Sequence, residues 1–254
     1  AFTRLGDAYG TGQAHAVLGR AMVMVGRVEE GFALMARTPR SGSGDGPTSP
    51  AEGLPGRMAR FAASLQIGEP ARGADVLAEL AELGELGAGV DDLHAALALS
   101  DLQRGDAPAA ADRIARSSEA AADPNVLAVR SLVQAALGAG DAAEVADRIE
   151  RAEGATYLDL AVGSVAAALE AAAGDAGPAP AQLHLSRARA AVQRAEDRTA
   201  VAVVELAAAA VSQRLALDDA EEAEARAEHL LAKLGIDAAG WKRAFALALR
   251  TPVG

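Results

Sequence analysis

The side chains best able to do chemistry in this 254-residue chain are few and widely spaced. There is no Cys, and the four His are His15, His94, His184 and His229. None of them lies in an HExxH or similar spacing that brings two ligands to one Zn²⁺. Asp91 and His94 share a helix face and could bind one metal together, although an Asp at the positive end of a helix more often caps it. The sequence therefore predicts no metal site and no thiol chemistry.

The motifs of phosphate binding and nucleophilic catalysis are also missing. Residues 41–46 (SGSGDG) supply the glycines of a phosphate loop, but the Gly-Lys-Ser/Thr that such a loop needs occurs nowhere in the chain. There is no GxSxG elbow to activate a serine. The acidic residues of 221–228 alternate with Arg226, which is typical of a solvated helix face. We therefore expect a protein that is not an enzyme and binds no cofactor.

The composition indicates helices and argues against two classes of partner. Hydrophobic residues make up 51% of the chain but aromatic residues only 3%, so Ala, Leu and Val must fill the core, which suits closely packed helices better than a sheet. The net charge of -11 disfavours nucleic acid and anionic membranes, since both attract clustered Lys and Arg. The lack of Cys fits the cytoplasm. Because the chain opens at Ala1 without Met, we expect it to be part of a longer protein.

Residues 123–154 show most clearly the predicted structural unit of the chain, which is a pair of helices. Asp123 is predicted to cap one helix, which ends at Gly138, and Asp141 to cap a second, with Glu144 completing a capping box. Each helix carries an apolar stripe, and one helical pair cannot bury both stripes. It needs a similar pair on either side, which predicts a stacked array of helical pairs.

The same pattern recurs along the chain. Gly105, Gly140 and Gly174 stand at successive turns and are 35 and 34 residues apart. We therefore expect an all-α array of five or six helical pairs with one further helix at the end. Residues 41–56 interrupt the pattern and are rich in Gly, Pro and Ser, so we expect a flexible loop there.

The period and the residues at repeated positions resemble the tetratricopeptide repeat family. The positions that carry the resemblance are Leu18, Gly19, Met22, Gly26, Gly31 and Met35 in the first unit, Leu97, Ala98, Gly105, Ala110 and Ile114 in the third, and Leu132, Gly140, Val145 and Ile149 in the fourth. The resemblance implies a right-handed α-solenoid. Residues 234–245 (LGIDAAGWKRAF) also resemble the C-terminal helical region of large actinobacterial regulatory proteins with an ATPase or nucleotide-cyclase portion.

The resemblance to the tetratricopeptide repeat family divides the chain into four parts. Residues 1–40 are a first hairpin, 41–56 the flexible loop, 57–235 further hairpins, and 236–254 a capping helix and tail. Trp241, Phe245 and Leu249 form one stripe of the last helix and are expected to cover the exposed side of residues 200–234. Recognition of a partner by Trp241 is the alternative.

The resemblance also implies where a partner binds, because the first helix of each pair lines the concave surface in that family. The residues at these positions are Arg20, Met24, Met58, Gln66, Gln103, Arg130 and Gln134. Arg20 and Arg130 are the expected contacts to an anionic group. The chain would then be a scaffold or regulatory module that binds a protein, a peptide or another domain of its own polypeptide.

A small-molecule sensor is the competing hypothesis. A superhelix that closes on itself can enclose an apolar pocket with few polar groups. Met22, Met24, Met35 and Met58 cluster in the first two units and could line such a pocket, although Met is more often an adaptable core residue.

Overall fold

The computed structural model describes residues 8–37, 50–74, 76, 91–117, 123–138, 140–174 and 177–250, and these contain 12 α-helices and no strand. The predicted all-α class is confirmed. The helices are α1 (Ala8–Met24), α2 (Val28–Met35), α3 (Pro50–Gln66), α4 (Asp91–Arg104), α5 (Ala107–Ala115), α6 (Pro124–Leu137), α7 (Ala142–Arg151), α8 (Tyr157–Ala173), α9 (Pro178–Arg194), α10 (Arg198–Arg214), α11 (Ala220–Leu234) and α12 (Ala239–Leu249), and a 3₁₀-helix at Pro70–Gly73 follows α3.

Helix α6 begins and ends as its sequence predicts. Oδ1 of Asp123 accepts a hydrogen bond from the backbone N–H of Asn125 at 2.9 Å, and Pro124 occupies the first turn. Gly138 ends the helix in the left-handed conformation with φ of 69°, which costs glycine little because it lacks a Cβ. The local signals of this helix therefore agree with the fold.

The capping box predicted for Asp141 and Glu144 is wrong. Asp141 stands at the N-cap of α7, but its side chain makes no cap hydrogen bond. Oε2 of Glu170, from α8, accepts instead from the backbone N–H of Ala142 at 2.7 Å. The neighbouring pair thus supplies the acceptor that the local sequence was expected to provide.

The boundary predicted for the flexible loop at 41–56 is also wrong. Helix α3 starts at Pro50, so residues 50–56 are helical, while 41–49 lie outside the described residues. Pro suits the first turn of a helix. Gly56 lets this part of α3 approach α2, since a Cβ there would lie 2.5 Å from the main-chain oxygen of Met35. The helix therefore begins inside a segment whose composition indicates a loop.

The helices form two layers. In the inner layer α1 contacts α3, α3 contacts α4, and the series continues through α6, α8 and α10. The outer helices α2, α5, α7 and α9 each pack on the inner helix that precedes them and on the one that follows, and α11 packs on α10. None of the described helices has the length and apolarity that crossing a bilayer requires.

The inner layer closes into a ring, because α10 also contacts α1. Next to this junction, Nε2 of Gln66 donates hydrogen bonds to Oδ2 of Asp197 at 2.7 Å and to Oγ1 of Thr199 at 3.0 Å, which join the end of α3 to the start of α10. Six helices of the ring therefore surround a central space. The right-handed course and the assignment to the repeat family stay predictions.

Helix α12 lies inside this ring, where it contacts α4, α6, α8 and α10. Its backbone N–H at Gly240 donates to the oxygen of Gly68 at 2.7 Å, and Nε1 of Trp241 donates to the oxygen of Gln66 at 2.9 Å. The burial expected for Trp241, Phe245 and Leu249 is confirmed.

The position expected for α12, on the exposed side of residues 200–234, is wrong. The Ala-rich inner helices leave a space at the centre of the ring that the aromatic side chains of α12 partly fill. The main-chain oxygens of Gln66 and Gly68, at and just after the end of α3, also need hydrogen-bond donors, because carbonyl groups at the end of a helix have no partner within it. Helix α12 supplies these donors.

Candidate functional site

The inner ring encloses a cavity of about 640 Å³. All six inner helices contribute to its wall, and Trp241 and Phe245 of α12 cover part of it. Most of the lining side chains are apolar, such as Leu99, Leu132 and Val162. A cavity of this size and character is typical of sites that bind small organic molecules.

Carboxylates form one rim of the cavity. Asp92, Asp123 and Asp159 belong to the first turns or N-caps of α4, α6 and α8, which stack side by side. Nδ2 of Asn125 donates to Oδ1 of Asp92 at 3.1 Å, so the starts of α4 and α6 are in direct contact. The stacking of equivalent helices therefore gathers acidic residues from three helix starts at one place.

The pKa of Asp159 reports the negative charge of this rim. Burial raises it most, the hydrogen bonds that the carboxylate accepts from the backbone N–H and the hydroxyl of Thr156 lower it, and the charges of Asp123 and Asp92 raise it further. None of the three carboxylates forms an ion pair with a described residue. The rim, which we call the acidic rim (Asp92, Asp123 and Asp159), thus carries negative charge that the described part of the chain does not pair.

A second polar cluster centres on Asp197, which is completely buried at the N-cap of α10. Its carboxylate accepts hydrogen bonds from four groups: Gln66 Nε2, Tyr157 Oη, Thr199 Oγ1 and the backbone N–H of Ala200. Burial and the hydrogen bond to Asp197 raise the pKa of Tyr157, and the nearby charge of Arg20 lowers it slightly. Asp197 is therefore fully satisfied and holds together α3, α8 and α10.

The structure brings only part of the predicted binding set to this cavity. Arg20, Met24 and Gln66 line it, whereas Met58, Gln103, Arg130 and Gln134 do not. Arg130 donates to Oγ of Ser117 at 3.0 Å and so joins α6 to the end of α5. Binding of a partner by the three lining residues stays a prediction.

Gln103 cannot contact a partner in this fold, so its place in the predicted set is wrong. The residue is completely buried, and its Nε2 donates to the main-chain oxygen of Leu65 at 2.7 Å. Its own main-chain oxygen accepts from Nε of Arg243 in α12 at 2.8 Å. A helix from the C-terminal end of the chain covers the position that an open groove would have exposed.

Sequence reasoning missed the acidic rim as a site. Asp123 was identified as a cap, but nothing in one helix shows that caps of three helices meet. The available signal was the recurrence of Asp near the start of successive inner helices, at 92, 123 and 159. Within the described residues no group of His, Cys, Asp and Glu has the arrangement of a metal site, and that includes the buried His94.

Comparison with known proteins adds no relative. No protein-family model matches the chain, and neither does any curated protein or solved structure. The function is therefore argued from the geometry of the cavity and of the surface.

Proposed function

We propose that this protein is a non-enzymatic binding module that holds a small organic molecule in the cavity of its inner ring. The observation that carries the proposal is the cavity itself, which measures about 640 Å³, is mainly apolar, and has polar groups from few positions. Sites with these properties bury most of the surface of a drug-sized ligand and orient it with a few polar contacts.

The closed ring favours this role over the binding of an extended peptide, which was the leading expectation from the sequence. A peptide that runs along a concave groove needs a continuous open surface. Here α1 meets α10, and α12 crosses the inner helices α4, α6, α8 and α10. The space that remains suits a compact ligand.

The chemistry of the lining supports binding rather than catalysis. The described lining residues include no Ser, Cys, His or Lys. Asp197 and Asp159 accept several internal hydrogen bonds, and burial and the hydrogen bond to Asp197 raise the pKa of Tyr157 above its usual range, further from neutral pH. None of these groups is arranged as a nucleophile with an adjacent base.

A second candidate function, protein binding, is favoured by exposed apolar side chains near the end of α1. Val17 and Leu18 of this helix and Val25 in the turn that follows it are exposed. A partner on this surface would agree with the scaffold or regulatory role that the sequence suggested. Ligand binding in the cavity would then affect the binding of a partner protein to the same module.

The proposed ligand site is tested by filling the cavity. Ala96 lines it, and Ala96→Phe should abolish the binding of small apolar molecules found by a thermal-shift screen of the unmodified protein. A ligand at 100 times its Kd stabilises the fold by about 2.7 kcal/mol, which corresponds to a rise in Tm of roughly 5 to 10 °C.

Ala33→Phe, on the exposed face of α2, is the matched control and should keep the shift. A ligand that binds Ala96→Phe as well as it binds the unmodified protein would place the site elsewhere. A screen without any hit would count against the proposed function.

A further inference from the structure

We propose that the cavity selects a molecule with an apolar body and one positively charged amino group. The body occupies the apolar part of the cavity, and the amino group lies at the acidic rim. This inference rests on the proposed binding function and names the class of ligand.

The wall of the cavity offers an apolar surface that can contact the apolar body of the ligand. The rings of Trp241 and Phe245 have centroids 5.5 Å apart and form one continuous aromatic surface on α12. Aliphatic side chains of α4, α6 and α8 line the cavity beside them, including Leu99, Leu132 and Val162. A ligand that removes this surface from water gains binding free energy in proportion to the apolar area buried.

The charge at the rim selects the head group. Three carboxylates meet where the N-termini of α4, α6 and α8 contribute roughly half a positive charge each. An ionised carboxylate carries a full negative charge, which exceeds the partial positive charge of one helix N-terminus, so the rim stays negative. Burial raises the pKa of Asp159 most, and the charges of Asp123 and Asp92 raise it further.

The rim also has free acceptor capacity. An ionised carboxylate can accept about four hydrogen bonds. Asp92 accepts one from Asn125, and Asp123 accepts one from the backbone of the same residue. An ammonium group, which has three donors and no acceptor, can be held by these oxygens and reduces the repulsion among them.

The cation and the other hydrogen-bond donors near Tyr157 do not favour an anion. Arg20 is the cation among the described lining residues and is exposed. The nearby donors Gln66 and Tyr157 already bind the carboxylate of Asp197. An anionic ligand would have to approach Arg20 while the acidic rim and Asp197 repel it.

The test uses three probes that share one body and differ in the head group: 4-phenylbutylamine, 4-phenylbutan-1-ol and 4-phenylbutyrate. Isothermal titration calorimetry at low salt should give a Kd about two- to fivefold lower for the amine than for the alcohol, with the carboxylate weakest. The double variant Asp92→Asn, Asp123→Asn should lose the preference for the amine and keep the Kd for the alcohol.

Asn serves as an N-cap about as well as Asp, so the double variant keeps the cap of α6. Glu224→Gln, on the exposed face of α11, removes a charge far from the cavity and should change none of the three Kd values. Equal Kd values for amine and alcohol in the unmodified protein would overturn the charge selectivity and leave the proposed function in place. Tightest binding of the carboxylate, lost in Arg20→Gln, would also overturn it. Binding of none of the probes would overturn the proposed function together with this inference.

Discussion

At the scale of single residues, Gly68 shows how closely α12 approaches the inner ring. Its φ is +74°, and a Cβ at this position would lie 2.5 Å from Cδ1 of Trp241 and 3.0 Å from its backbone nitrogen. Gly235 has a similar φ of +67° with no atom within 4 Å of the corresponding position. Substitution of the two glycines by alanine therefore separates the cost of the left-handed backbone from the cost of a steric clash with Trp241.

We predict that Gly68→Ala destabilises the fold more than Gly235→Ala does. The second substitution costs only the left-handed backbone, about 1 to 2 kcal/mol. Gly68→Ala also displaces Trp241, which should cost about 1 to 3 kcal/mol more, the usual cost of overpacking a core. Urea unfolding of both variants measures the difference. Equal losses would contradict the close seating of α12.

At the scale of elements, the starts of α6 and α7 differ although both have Asp at the N-cap. The side chain of Asp123 accepts from the backbone of its own helix, whereas that of Asp141 does not, and Glu170 takes its place. A cap hydrogen bond is a local interaction, but a neighbouring helix can substitute for it.

We predict that Asp123→Ala lowers the free energy of unfolding by about 1 kcal/mol, since it removes a cap that forms a hydrogen bond. Asp141→Ala is the matched control and should cost only a few tenths of a kcal/mol, which reflects its charge near the helix N-terminus. Chemical denaturation at neutral pH compares the two. A larger loss for Asp141→Ala would show that Glu170 does not cap α7.

At the scale of the whole molecule, α12 makes the ring a cooperative unit. In an open array each pair is supported only by its neighbours. Here one helix contacts α4, α6, α8 and α10, while α1 contacts α10 across the closure. Loss of the contacts made by α12 should therefore destabilise helices along most of the chain.

We predict that Trp241→Ala destabilises the fold by about 3 to 5 kcal/mol, as emptying a large aromatic site usually does. Hydrogen exchange should become faster in α4, α6 and α8 as well as in α10. Leu183→Ala, at a side chain that is 54% exposed on α9, is the control and should leave exchange unchanged. Faster exchange confined to residues 198–234 would instead support a helix that covers only the end of the array.

The sequence by itself determined the class of fold and much of the local structure. Helical periodicity and turn glycines are local properties, and they correctly predicted an all-α chain, the cap at Asp123 and the end of α6 at Gly138. They failed at Pro50, where a helix begins inside a segment with the composition of a loop.

Only the tertiary structure decided the site. Closure of the ring depends on the small rotation between successive pairs, which accumulates along the chain and is not encoded in any one pair. That closure brings Gln66 to Asp197, 131 residues further along the chain, and places α12 over Gln103, so a residue predicted to face a partner is buried. The acidic rim also depends on the tertiary structure, because Asp92, Asp123 and Asp159 belong to separate helix starts until the stacking of three helices puts them around one cavity.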